Sequence, residues 1–192
     1  MRINDIFYSL QGEGHFTGRP AIFIRFAGCN LRCPFCDTDF TSFTEMSVTD
    51  ILVAIAAYPA RFVVLTGGEP SLQLTAEFIG VLKEAGYFLT VETNGTHPLP
   101  AGIDWVTLSP KSPFVRHADV VLQRCNELKL VFNGKVTPSE FLSIPADEYY
   151  LQPCDTGNDI TNQVILQNTI DYCLEHPTWS LSLQMHKIVG IK

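Results

Sequence analysis

The chain has 192 residues, 46% hydrophobic and 17% charged, which excludes a disordered or fibrous protein and allows one domain over 1–192 with a single sizeable core. A net charge of −7 with no run of lysines or arginines speaks against a nucleic-acid surface. No apolar run nears the roughly 18 residues that cross a bilayer, and the opening residues, with Arg2, Asp5 and Glu13, lack a signal-peptide core, so a cytoplasmic protein without membrane association is expected.

Strand-like runs rich in Val, Ile, Phe and Tyr open the chain at Ile3–Ser9 and Ala21–Phe26. A helix is expected after Ser47, whose spacing to Asp50 is that of a capping box, with Ile51, Leu52 and Ile55 on one face. The strand Phe62–Thr66 follows. A second helix starts after Thr75, carries Phe78, Val81, Leu82 and Ala85 on one face, and ends before Gly86. Strands come next at Phe88–Glu92, Trp105–Leu108 and Glu127–Val131, then weak helical signal around Ser139–Leu142 and a strand at Tyr149–Leu151. A third helix, capped by Asp159, carries Leu166, Ile170, Cys173 and Leu174 to His176 and is stopped by Pro177, and Ser180–Gln184 reads as the last strand.

Several of these strands are apolar on both faces, as buried parallel strands are, and the β–α alternation argues for helices outside a parallel sheet. A full eight-fold barrel typically needs about 250 residues, so the expected fold is α/β, an incomplete and open TIM-like barrel of parallel strands with outer helices. Ligands in such folds gather at the carboxyl ends of strands. There the sequence places Cys29, Gly67-Gly68-Glu69, Glu92-Thr93-Asn94-Gly95, Ser109-Pro110-Lys111 and Gln152-Pro153-Cys154-Asp155.

Three of the six cysteines, Cys29, Cys33 and Cys36, share one loop in the spacing C-x3-C-x2-C; Cys125, Cys154 and Cys173 are scattered. Without a secretory signal this reads as a metal or cluster site in a reducing compartment. A structural zinc or a closed cluster takes four ligands, so three thiolates either await a distant fourth residue or leave one iron open.

Phe35 before the last cysteine, together with Gly67-Gly68-Glu69-Pro70 after the next strand, resembles the radical S-adenosylmethionine superfamily. Leu10-Gln11-Gly12-Glu13-Gly14, Arg25, Cys36-Asp37-Thr38, Ser109-Pro110-Lys111 and the stretch Ser182 to Lys187 narrow the resemblance to the 7-carboxy-7-deazaguanine synthases. That resemblance implies a lyase that turns 6-carboxy-5,6,7,8-tetrahydropterin into 7-carboxy-7-deazaguanine and ammonia, a radical ring contraction on the route to queuosine. It implies a 4Fe–4S cluster on Cys29, Cys33 and Cys36, S-adenosylmethionine as the source of a 5′-deoxyadenosyl radical, and Mg2+ at Thr38. It further implies substrate contacts from Leu10, Gln11, Gly12, Arg25, Thr66 and the last residue, Lys192. Phe35, Cys36, Asp37, Gly68, Ser109, Pro110, Lys111, Gln152, Pro153, Cys154 and Asp155 would line the S-adenosylmethionine site. The implied partners are a reductant such as flavodoxin or ferredoxin and a second copy of the chain.

Plainer readings stand beside these. Gln11-Gly12-Glu13-Gly14 also reads as a turn, Glu69 as an orienting group of its turn, and Glu92 as a strand end. Lys111 and Lys187 also read as surface lysines, and of the histidines only His186 falls in a matching stretch. A buried Arg25 needs a partner in either case. An activating enzyme for a glycyl-radical protein shares the cysteine spacing, and a zinc module would use the cysteines alone.

Overall fold

In the central strands, branched aliphatic residues alternate with residues of other kinds, and this period of two sets the architecture. The computed structural model describes residues 1–39 and 41–192. Among them the strands are β1 (Arg2–Leu10), β2 (Pro20–Phe26), β3 (Thr44–Glu45), β4 (Phe62–Gly67), β5 (Phe88–Thr93), β6 (Trp105–Leu108), β7 (Glu127–Phe132), β8 (Glu148–Pro153) and β9 (Ser180–Leu181). They form one sheet in the order β3-β1-β2-β4-β5-β6-β7-β8-β9. The α-helices are α1 (Val48–Ala56), α2 (Ala76–Glu84), α3 (Asp159–Glu175) and α4 (Met185–Val189).

The sheet is parallel from β2 through β9, as expected of an open barrel, but one edge corrects the all-parallel expectation. β1 runs antiparallel to β2, and the two-residue β3 runs antiparallel to β1. The β1–β2 link is short and holds only a 3-10 turn at Gly14–Phe16, so the chain can return only antiparallel. Among the described residues, the crossovers from β5 to β6 and from β6 to β7 contain no α-helix, so strand–helix alternation is incomplete there.

Helix starts obey local chemistry. The Ser47–Asp50 capping box forms in both directions, and the Thr75 hydroxyl accepts from the Phe78 amide at 3.2 Å. The cap of α3 is Asn158, not Asp159: its side-chain oxygen accepts from the Thr161 amide at 2.9 Å. The buried stripe of α3 is also turned from expectation. Ile165 and Thr169 are buried, with Tyr172 and Cys173 beside them, whereas Leu174 is 76% exposed. Those positions follow i, i+4, i+7, i+8 from Ile165, the face that meets Val131 and Cys154. Only Ser180 and Leu181 of the last expected strand pair, because Ser182 turns inward.

Two cores lie on the outer face. Ile22, Ile24, Val63, Leu65, Leu89 and Val91 pack under α1 and α2 through Ile51, Ile55, Phe78 and Leu82. Leu128, Leu130 and Leu151 pack with Phe141 and Trp179 on the later half. The concave face has an aromatic base: Phe7 stacks on Phe23 at 4.8 Å, Phe62 on Phe88 at 5.5 Å, and Phe16 meets Phe62 edge-on. His15 stacks on Trp105, so the Gly14–Phe16 turn plugs that end of the barrel. Among the described residues no helix is long and apolar enough to cross a membrane.

Candidate active site

Above the aromatic base the inward positions become polar. Arg25 on β2, Thr66 on β4, Glu92 on β5, Lys129 on β7 and Gln152 on β8 line a cavity of about 300 Å³. Leu10, Gln11, Gly12, the three loop cysteines, Phe35, Asp37, Thr38, Gly68, Ser109, Lys111, Pro153, Cys154, Asp155 and Lys192 line it as well. Pro110 alone among the expected site residues does not; it is buried between Ser109 and Lys111.

The loop after β2 presents the thiols. The Cys36 amide donates to the Cys33 carbonyl at 3.1 Å, turning the loop back, and the Leu31 amide donates to the Cys29 sulfur at 3.4 Å. Leu31 is buried beneath the loop, and Phe35 meets Phe114 edge-on at 4.8 Å. All three thiols are free of disulfides, and burial pushes Cys29 and Cys33 up from their ordinary pKa. The glycine turn is pressed against this loop. Gly68 donates to the Phe26 carbonyl and Glu69 to the Gly28 carbonyl, both at 2.9 Å, and a Cβ at Gly68 would overlap the Gly28 oxygen. Close approach of two backbones is therefore what the glycine provides.

Glu69 is 1% exposed and clasps two strand ends. It accepts from the Ser71 amide at 3.1 Å, the Thr93 hydroxyl at 2.6 Å and the Asn94 amide at 2.8 Å. Asn94 in turn donates to Asn30 at 3.1 Å, tying β5 to the thiol loop. The reading of Glu69 as an orienting group holds. Glu92 does more than end a strand: it accepts from Gln11 at 2.8 Å and from the Lys129 ammonium at 3.1 Å. Lys129 also donates to Glu13 at 2.5 Å. Burial alone would raise the Glu13 carboxyl, but the adjacent ammonium and hydrogen bonds from Lys129 and Gln184 bring it down to about 2. The Lys129 ammonium is held well above its ordinary value against burial by Glu13, Glu92 and Glu127.

Neither Lys111 nor Lys187 behaves as a plain surface lysine. The Lys111 ammonium donates to the Ser109 carbonyl and hydroxyl, and burial lowers its pKa. Lys187 pairs with Asp37 at 2.7 Å and Asp155 at 2.8 Å, pulling the thiol loop and the loop after β8 together. Asp155 is held down to about 2, chiefly by its bond from Lys187. The segment after β9 crosses to the β1–β2 link: the Met185 amide donates to the Gly12 carbonyl at 2.9 Å, and Gln184 donates to Glu13 at 3.1 Å. His186 packs so closely on Gly12 that a Cβ there would overlap its ring. Lys192 pairs with Asp5 and lies 4.7 Å from the Phe7 ring centre.

The donor set suits an iron–sulfur cluster with S-adenosylmethionine. Three free thiols enter the cavity from one loop, next to glycine backbone and bordered by polar strand ends. Among the described residues no three His, Cys, Asp or Glu side chains converge on one ion-sized point; thiolates at the corners of a cluster do not converge on one either. Sequence reasoning missed Lys129, Ser182 and Gln184. The signal for Lys129 was present in Glu127-Leu128-Lys129-Leu130, where two charged residues fall on one face of an otherwise buried strand.

The radical SAM superfamily pattern covers residues 23–142 of this chain. The 7-carboxy-7-deazaguanine synthase of Bacteroides thetaiotaomicron is 47% identical over 191 residues, covering 100% of this chain and 98% of the relative. That of Bordetella pertussis is 41% identical over 212 residues, covering 98% of each. The crystal structure of QueE from Escherichia coli matches with a TM-score of 0.78 at 33% identity, covering 96% of this chain and 94% of that one.

Proposed function

Because the chain belongs to the 7-carboxy-7-deazaguanine synthases of the radical SAM superfamily, we propose that it converts 6-carboxy-5,6,7,8-tetrahydropterin to 7-carboxy-7-deazaguanine and ammonia. The observation that carries this reading is the convergence of Arg25, the thiol loop and the Gly68 turn on one cavity. Bound there, the cluster and S-adenosylmethionine supply a hydrogen-abstracting radical.

The chain's own residues divide the remaining work. Cys29, Cys33 and Cys36 hold the cluster, and the Gly68 turn, Phe35 to Asp37, Ser109 to Lys111 and Gln152 to Asp155 receive S-adenosylmethionine. Among the described residues, Arg25 has a ring beneath it, Phe7 at 5.3 Å, but no carboxylate partner, so its guanidinium is free to take the substrate carboxylate. The Thr38 hydroxyl, in the cavity lining, would offer Mg2+ a hard oxygen ligand. Leu10, Gln11 and Gly12, with Thr66 and Lys192, border the pterin. The aromatic base keeps water from entering behind the substrate. The chain acts as one domain in the cytoplasm, as a homodimer reduced by a flavodoxin or ferredoxin. No observation favours the activating-enzyme or zinc-module readings.

The test is an anaerobic assay of reconstituted protein with reductant, S-adenosylmethionine, Mg2+ and the carboxytetrahydropterin, read by mass spectrometry. The deazaguanine acid is expected only when all components are present. Formation of 5′-deoxyadenosine without it would remove the substrate assignment and leave the superfamily chemistry.

A further inference from the structure

The end of β8 and the β1–β2 link meet at one buried hydroxyl. Ser182, the residue after β9, is 3% exposed and does not itself line the cavity. Its amide donates to the Leu151 carbonyl at 2.9 Å, which fixes its place beside β8. Its hydroxyl oxygen accepts from the Gly14 amide at 2.9 Å, and its hydroxyl proton goes to the Gln152 side-chain oxygen at 3.1 Å. The Gly14 amide is held in turn, because the next amide, that of His15, donates to the buried Glu127 carboxylate at 3.2 Å.

A hydroxyl has one proton and two lone pairs, so this arrangement decides which way the Gln152 amide faces. Turned over, Gln152 would bring its N–H2 group to an oxygen that already accepts from Gly14. The Ser182 proton would then have no acceptor in a buried place, an arrangement that costs about 1–3 kcal/mol. The observed sense leaves Nε2 of Gln152 as the open end. Among the described residues Nε2 has no hydrogen-bond partner, although Gln152 is only 8% exposed and lines the cavity. A nearly buried N–H2 group is unfavourable until something in the cavity accepts from it.

We propose that Ser182 is a positioning residue: it locks the Gln152 amide with its N–H2 group toward the cavity, which makes position 152 a hydrogen-bond donor to S-adenosylmethionine. The inference rests on the reading above that Gln152 to Asp155 receive that molecule, whose adenine nitrogens, ribose oxygens and carboxylate are all acceptors. Ser182 acts through Gln152 and touches no ligand. Through Gly14 it also ties that donor to the segment that borders the pterin.

The test is a double-mutant cycle on reconstituted protein, read as the dissociation constant of S-adenosylmethionine. Ser182→Ala should keep the iron content and weaken binding about fivefold, and Gln152→Ala should weaken it about tenfold. Adding Ser182→Ala to Gln152→Ala should cost nothing more, because the hydroxyl then has no amide to orient. A role in folding alone would multiply the two losses. Unchanged affinity in Ser182→Ala, or a loss of about fiftyfold in the double variant, would therefore overturn the assignment.

If Ser182→Ala does not fold, Gln152→Glu decides. It keeps the shape and the bond from Ser182 but turns the cavity-facing N–H2 group into an acceptor oxygen. At least a tenfold loss of S-adenosylmethionine affinity is expected at about pH 8, and unchanged affinity overturns the proposal. Wild type that binds no S-adenosylmethionine would remove the proposed function and this inference together. Normal binding by the wild type with an unaffected Ser182→Ala would remove this inference alone.

Discussion

The thiol loop after β2 and the polar inner wall formed by Glu13, Glu92 and Lys129 hold functional groups by opposite means. On the loop, Cys36 is exposed and Cys29 and Cys33 half-buried, and the loop is shaped mostly by backbone turns and one plug, Leu31. On the wall Lys129 is buried between two partly buried carboxylates, and charge pairs from three separate segments hold one another. The loop leaves its thiols open to a cofactor. The wall is held by its own charge pairs, so its order does not depend on a cofactor.

Four measurements would sharpen or break that contrast, beginning with the largest effect. Cys33→Ala should abolish cluster absorbance and turnover while leaving the Tm of the apo protein within a degree or two; a large drop in apo Tm would show that the loop also supports the fold. Glu69→Ala should act first on stability. Three donors lose a buried acceptor, costing about 3 kcal/mol, which in a chain this size lowers Tm by roughly 6–12 °C. An unchanged melting curve would break the clasp assignment.

The third measurement is stability against pH. The Glu13 carboxyl is lowered on folding from 4.5 to about 2, so its contribution is complete above 4.5 and is lost as pH falls toward 2, about 3 kcal/mol in all. The Lys129 ammonium is raised, so its contribution persists below 10.5 and fades only at higher pH. Melting temperatures should therefore be insensitive to this pair from about pH 5 to 10, with an acid limb that Glu13→Gln removes. The smallest effect is Thr38→Ala, which should raise the Mg2+ needed for half-maximal activity roughly tenfold, about 1.4 kcal/mol, without moving Tm. An identical Mg2+ titration would take Thr38 out of the metal site.

The same contrast explains what could be read before the fold was known. Cys29, Cys33 and Cys36 lie within eight residues, so their chemistry is contiguous in sequence. The strand ends were legible because strands of a parallel sheet all point one way, which gathers Gly68, Ser109 and Gln152 at one rim. The wall was only half legible: Glu127 and Lys129 on one face of a buried strand mark a polar site, but nothing in sequence says that its partners are Glu13, in the β1–β2 link, and Glu92, on β5. The antiparallel edge had signals that went unused: β1 carries Asn4, Asp5 and Ser9 and buries only Ile3 and Phe7, as an edge strand does, and the link to β2 is too short for a parallel crossover.

The barrel's seam has a consequence for folding order. No backbone ladder joins β9 to β1 among the described residues; the closure includes Ser182 with Gly14 and Gln184 with Glu13, pairs 168 and 171 residues apart, together with the Met185 amide on the Gly12 carbonyl and Lys192 on Asp5. Bringing such distant segments together from the unfolded chain costs about 4–5 kcal/mol of entropy, which the intervening sheet must offset first, since the seam itself offers only a few part-buried bonds. The seam should therefore assemble after the sheet and reopen without it. Amide exchange at Gly14 and Met185 should run much faster than at Val64 in β4, marking a local opening through which bulky ligands pass while the sheet stays folded.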